Sequence, residues 1–245
     1  LCAVAPVLPV VIRQPDNLRR AIHWFEKAIE TDPNFARARA MWVCSASGLP
    51  NYDWEDGRNR TQAALELDPN DPEANRIMGS ILLHEKKFEA SRPYHIKAVE
   101  LAPNDAYIVG RCACFHIFSG EPETALDLLD RAEQLDPYLP GWITEDRIAA
   151  YYAMDRYEDA LIAARALTYQ SRRSRMYRAA SRVALGDLDA AREVISEALG
   201  ISPDLTTGHV EYSDTYRDDS ISETLKDRLR QAGLPDGPSP YNVTT

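Results

Sequence analysis

"AIETDPNFARA" occupies residues 28–38, and close copies follow it along the chain. They read "ALELDPNDPEA" at 64–74, "AVELAPNDAYI" at 98–108, "AEQLDPYLPGW" at 132–142 and "ALGISPDLTTG" at 198–208. The shared core of the phrase is a stop and a start in three letters. A residue placed before proline is pushed out of the α region, so Asp-Pro ends a helix. Asn or Asp after the proline can cap the next helix by accepting from its free N–H groups. The anchoring prolines are Pro33, Pro69, Pro103, Pro137 and Pro203, at steps of 36, 34, 34 and 66 residues, the last step being two units of 33.

Within each period the pattern holds in detail. Small residues stand where two helices must touch closely: Ala21 and Ala28, Ala64, Ala98, Ala125 and Ala132, Ala191 and Ala198. "EKKFEAS" at 85–91, "GEPETAL" at 120–126, "DRYEDAL" at 155–161 and "GDLDAAR" at 186–192 mark turns into second helices. A period of about 34 residues with two helices per unit resembles the tetratricopeptide repeat, over residues 16–204. The resemblance implies an all-α fold, a right-handed α-solenoid of helical hairpins. One hairpin cannot bury its apolar face alone, so stacked neighbours complete the core and need the same joint at every step.

The expected helices are 16–31 (the second helix of a unit whose first is degenerate or missing), then the pairs 34–47 with 53–67, 71–85 with 88–101, 105–118 with 121–135, 139–154 with 156–168, and 172–185 with 187–200. This makes about five and a half units. Residues 1–15 form a degenerate N-terminal segment, and 205–235 a connector and a capping helix at 218–232, stopped by Gly233 and Pro235. Residues 236–245 are expected to be a disordered tail. Two departures interrupt the period. "SGLPNYDWED" lengthens the second unit by two residues, and the fifth carries one extra residue before its turn and lacks a closing proline.

The chain has 245 residues, a net charge of −10 and a pI near 5.0. An acidic chain is a poor general binder of nucleic acid or anionic lipid. The four cysteines, Cys2, Cys44, Cys112 and Cys114, show no CxxC spacing and suit a reducing, cytoplasmic setting. "LCAVAPVLPVVI" at 1–12 is too short to span a membrane and reads as the cut edge of a longer chain.

No phosphate-binding glycine loop, HExxH or GxSxG occurs. "CACFH" places Cys112 and His116 on one helical face, but two ligands do not close a zinc site. Cys112 falls where the repeat needs a buried residue. The sequence therefore gives no catalytic residue, no metal and no cofactor. Arg172, Arg175, Arg178 and Arg182 form a stripe, read either as a solvated face paired with acids such as Glu158 and Asp159 or as an anion-docking site.

The resemblance also implies where a ligand sits. In tetratricopeptide arrays the first helix of each unit lines the concave surface. Its inward positions here are Arg37 and Cys44; Glu73, Arg76 and Ser80; Tyr107 and Cys114; Trp142 and Glu145; Arg173 and Met176, with Tyr177 adjacent. Arg76, Tyr107, Trp142, Arg173 and Tyr177 are the expected groove residues, because Arg, Tyr and Trp dominate binding hot spots. The paired Lys and Asn of the chaperone-tail clamp are absent. The expected partner is a protein or peptide, with self-association as an alternative, and neither nucleic acid nor membrane.

A narrower resemblance rests on the ends. "QPDNLRRAIHWFEKAIETDPNFARA" at 14–38 and "LKDRLRQAGLPDG" at 225–237 are similar to the C-terminal repeat region of bacterial class III adenylate/guanylate cyclase-type proteins. The tail style also occurs on winged-helix regulators with such repeats. Either parent makes this chain a docking or regulatory arm.

Overall fold

A computed structural model describes residues 15–49 and 52–238. Among the described residues there are thirteen helices and no strand. In chain order they are α1 (Pro15–Thr31), α2 (Ala36–Ala46), α3 (Trp54–Leu67), α4 (Pro72–His84), α5 (Phe88–Leu101), α6 (Ala106–Ser119), α7 (Pro122–Leu135), α8 (Trp142–Ala153), α9 (Tyr157–Ala166), α10 (Arg172–Ala184), α11 (Leu188–Ile201), α12 (Gly208–Ser213) and α13 (Asp219–Gln231). The chain divides into two compact units, Leu1–Cys112 with Asp130–Trp142, and Ala113–Leu129 with Ile143–Thr245.

The repeated phrase folds the same way at successive joints. Asp32, Asp68 and Asp136 each accept the backbone N–H two residues on, at 3.0, 2.9 and 2.9 Å, and so close the turn around the proline. The cap of the next helix is the second residue after the proline. Asp71 accepts from Ala74 N–H at 2.8 Å, and Asp105 accepts from Tyr107 and Ile108 at 3.0 and 3.1 Å. Pro72 begins α4, where a missing N–H costs nothing.

The turn from first to second helix is equally regular. Lys86, Gly120, Asp155 and Gly186 all adopt left-handed backbone, with φ of 58°, 89°, 56° and 81°. One residue later the amide reaches back across the helix end. Lys87 donates to Leu82, Glu121 to His116, Arg156 to Tyr151 and Asp187 to Arg182, at 2.8–2.9 Å. This six-to-one bond satisfies an orphan helix carbonyl, and it requires the left-handed residue between.

Of the expected small residues, Ala64, Ala98, Ala125, Ala132, Ala191 and Ala198 are at most 2% exposed, as is Ala160, whereas Ala21 and Ala28 on α1 are only partly buried. In the first unit Ala36, Ala40, Val43, Ala64, Ala74, Ile77 and Ile81 form one cluster, with Trp42, Tyr52 and Trp54 packed on its edge. Cys112 packs with Ala98 and Ile108, as the repeat register requires.

Several expectations need correction. Helix α8 starts at Trp142 instead of residue 139, because Pro140 and Gly141 extend the joint. The extra residue of the fifth repeat is therefore taken up there, and α8 is one residue shorter than α4, 12 against 13. The 205–217 connector contains the short helix α12. Of the tail, residues 236–238 pair with the connector. Thr207 and Gly208 donate their amides to Pro235 and Gly237 carbonyls at 3.0 and 3.1 Å, and Thr206 Oγ1 donates to Pro238 at 3.1 Å. Residues 239–245, and the expected degenerate segment up to residue 14, lie outside the described residues.

Candidate functional site

In the first unit, side chains from four successive first helices meet. Arg76 on α4 is the hub and is 2% exposed. Its Nε donates to Glu73 at 2.7 Å, and its Nη2 lies 3.6 Å from Cys44 Sγ on α2. Its guanidinium stands 5.6 Å from the Tyr107 ring centroid on α6. Burial works against the charge of Arg76, but Glu73, Cys44 and Tyr107 together outweigh it, so Arg76 holds its proton more firmly than a free arginine. Tyr107 meets Trp142 edge to face, with centroids 5.7 Å apart at 82°. Arg111, one turn along α6, places its guanidinium 5.1 Å from the Trp142 ring. Trp142 fits so closely because residue 110 is glycine: a Cβ there would lie 2.9 Å from the Trp142 ring and 3.2 Å from Ala132 Cβ.

Tyr107 and Trp142 remain half-buried, so they are the expected groove residues this unit offers to solvent. Arg76 does not reach solvent. Its place is beneath Tyr107, holding a carboxylate of its own helix. Arg37, half-exposed, pairs with the capping Asp71 at 2.9 Å. Burial, its first cause, keeps the Tyr107 phenol protonated above its ordinary range.

In the second unit the expected pair, Arg173 and Tyr177, lies under the chain's own C-terminal segment. Arg173 on α10 bridges two carboxylates. Its Nη1 lies 2.7 Å from Asp146 Oδ1 on α8, while Nε and Nη2 each lie 2.8 Å from Asp214 Oδ1 just after α12. The Asp214 side chain is 0% exposed and that of Arg173 17%. Tyr177 is 1% exposed, and its hydroxyl shares a hydrogen bond with Tyr216 at 2.8 Å. Tyr216 packs edge-on against Phe118 of α6 at 5.0 Å, and Arg217 N–H donates to the Phe118 carbonyl at 2.7 Å. Burial pushes the Tyr177 and Tyr216 phenols well up, with the Asp214 charge adding to the effect. Tyr177 is thus a support for this segment and has no open surface to offer.

Helix α13 continues the cover. Arg228 Nη1 donates to the hydroxyls of Tyr152 and Tyr157, both at 2.9 Å, and its guanidinium stands 4.6 Å over the Tyr157 ring. Burial raises the Tyr152 phenol to about 12 despite the nearby cation.

The arginine stripe is paired, though not with Glu158 and Asp159. Arg175 and Arg178 reach Glu197 on α11 at 3.3 and 3.9 Å, Arg182 reaches Asp187 at 2.6 Å, and Arg172 reaches Asp204 at 3.8 Å. Asp159 instead pairs with Arg156 at 2.7 Å. The repeat stacks α10 on α11, its own hairpin partner, and so supplies the acids from that helix and the residues flanking it. His116 Nδ1 faces Glu121 at 2.7 Å and Cys112 is buried in the core. Among the described residues no group of three His, Cys, Asp or Glu is placed to hold a metal, and no helix is long and apolar enough to cross a membrane.

Sequence reasoning missed Arg111, Phe118, Asp146, Asp214 and Tyr216. Asp146 lies one position from an expected inward residue. Asp214 and Tyr216 lie outside the repeat, so no period pointed to them.

Comparison with known proteins agrees with this architecture. Residues 51–106 match the family model described as "Tetratricopeptide repeat". No curated protein matches the chain. Among solved structures, a tetratricopeptide repeat protein from Parabacteroides merdae is 13% identical, with 91% of this chain and 80% of that one covered at a TM-score of 0.61. TTC0263, a thermophilic TPR protein in Thermus thermophilus, is 18% identical, with 72% and 91% covered at 0.54. pilF of Pseudomonas aeruginosa is 18% identical, with 83% and 90% covered at 0.54. At these identities the likeness is one of fold. The chain has the tetratricopeptide-repeat fold.

Proposed function

We propose that this chain is a cytoplasmic protein- or peptide-binding scaffold, the docking arm of a larger bacterial signalling protein of the adenylate cyclase type. The scaffold reading is carried by one observation. In the first unit the first helices present two half-buried aromatics, Tyr107 and Trp142, flanked by the cation of Arg111 and braced from beneath by Arg76. Rigid aromatics give contact area at low entropic cost. In the second unit Arg173 and Tyr177 act through the segment they hold. The cyclase link draws on the likeness of residues 14–38 and 225–237 to that protein class.

The test is affinity capture from the source cells with the full chain and its Tyr107→Ala/Trp142→Ala variant, each checked for native helix content by circular dichroism. Loss of specific partners from the folded double variant is the expected result. If the folded variant keeps every partner, the binding surface lies elsewhere.

A further inference from the structure

In the second unit the face formed by first helices is occupied, and the occupant is a segment of this chain. Residues 214–217 run between α12 and α13 outside regular structure, and Asp214 is extended at φ −139° and ψ 98°. Its contacts to the face include those a bound peptide makes. The Asp214 carboxylate is held by Arg173, the Tyr216 hydroxyl meets Tyr177, the Tyr216 ring packs on Phe118, and the Arg217 amide donates to a carbonyl near the end of α6. One helix end and one helix face thus read an acid, an aromatic two residues later, and a backbone donor after that. The acid and the aromatic are both at most 1% exposed, whereas Arg217 and Asp218 are exposed.

We propose that residues 214–217 are an internal occupant of a peptide-docking face, and that this face accepts an extended segment of another protein carrying Asp-x-Tyr. The inference rests on the scaffold reading but concerns only the second unit, so the two can fail separately. A buried ion pair is specific in geometry and adds little net stability, so a segment with the same groups can replace it at small cost. What favours the internal copy is its tether, which gives it an effective concentration in the millimolar range. Weakening the internal contacts should therefore open the face to an external segment.

The probe is a fluorescein-labelled peptide of residues 213–219, titrated by anisotropy into the full chain and into its Asp214→Ala/Tyr216→Ala variant. The variant should bind the peptide at least about tenfold more tightly than the wild type. Peptides with the aspartate or the tyrosine replaced by alanine should bind the variant roughly tenfold more weakly. Equal binding by wild type and folded variant, or indifference to those peptide changes, overturns the proposal. If the double variant does not fold, Tyr216→Phe carries the test, since it keeps the ring on Phe118 and removes only the hydroxyl contact. It should bind the peptide more tightly than the wild type, and failure to do so is equally decisive. Loss of peptide binding with intact partner capture through Tyr107 and Trp142 would sink this inference and leave the scaffold reading standing.

Discussion

The two units put similar side chains on their first helices and leave them in different states. In the first, Arg76 supports Tyr107, and Tyr107 and Trp142 keep a half-exposed edge. In the second, Arg173 and Tyr177 are sealed by Asp214 and Tyr216. Arginine is charge-neutralised in both, by a carboxylate three residues away in one and by carboxylates 27 and 41 residues away in the other. A local pair forms as soon as its helix forms. The long-range triad exists only when the C-terminal segment has docked, so it reports tertiary closure in a way that the Arg76 pair does not.

Removing the hub of each cluster gives the largest separation. Arg173→Ala leaves two buried carboxylates facing each other and should cost about 3–5 kcal/mol in denaturant unfolding. Arg76→Ala should cost less, because it strands one carboxylate, Glu73, where Arg173→Ala strands two. A cost for Arg76→Ala equal to or above that of Arg173→Ala would break the comparison.

Close packing offers the next contrast. Ala160 on α9 is 1% exposed, so Ala160→Leu should overpack the second unit by about 1–3 kcal/mol, while Ala166→Leu at the exposed end of the same helix should be near neutral. In the first unit, Gly110→Ala should displace the Trp142 ring, read as a shift in tryptophan emission together with a loss of about 1 kcal/mol. An unchanged spectrum would show that the ring is not seated as described.

Alkali should act through the buried phenols. Tyr152 in the second unit is raised by burial to about 12, above the ordinary value of 10. A group whose folded pKa is raised contributes stability that is fully present below its unfolded pKa and lost as pH rises through the folded one. Stability should therefore decline between about pH 10 and 12, and Tyr152→Phe should flatten part of that decline.

The smallest effect belongs to the turns. Lys86 in the first unit and Asp155 in the second hold left-handed backbone that glycine adopts without strain, as Gly120 and Gly186 do. Lys86→Gly should be stabilising by about 0.5–1 kcal/mol in thermal unfolding. Asp155→Gly should gain less, because the Asp155 carboxylate also accepts from the Tyr157 hydroxyl.

By itself the sequence determined the repeat: its period, its prolines, its alanines, and so the hairpins and their joints. Those signals are local, since a proline or a capping aspartate acts within a few residues of itself. That Tyr107 and Trp142 fall on first helices was legible for the same reason, each standing at a fixed step from its proline. Only the tertiary structure decided that Arg76 and Tyr177 are buried, that Arg175 and Arg178 pair with Glu197 of α11, and that Asp214 and Tyr216 cover Arg173 and Tyr177. The last of these depends on where a non-repeating segment comes to rest, and no period marks it. Its position is fixed by a buried charge finding its partners across the fold, a long-range condition that no stretch of sequence contains.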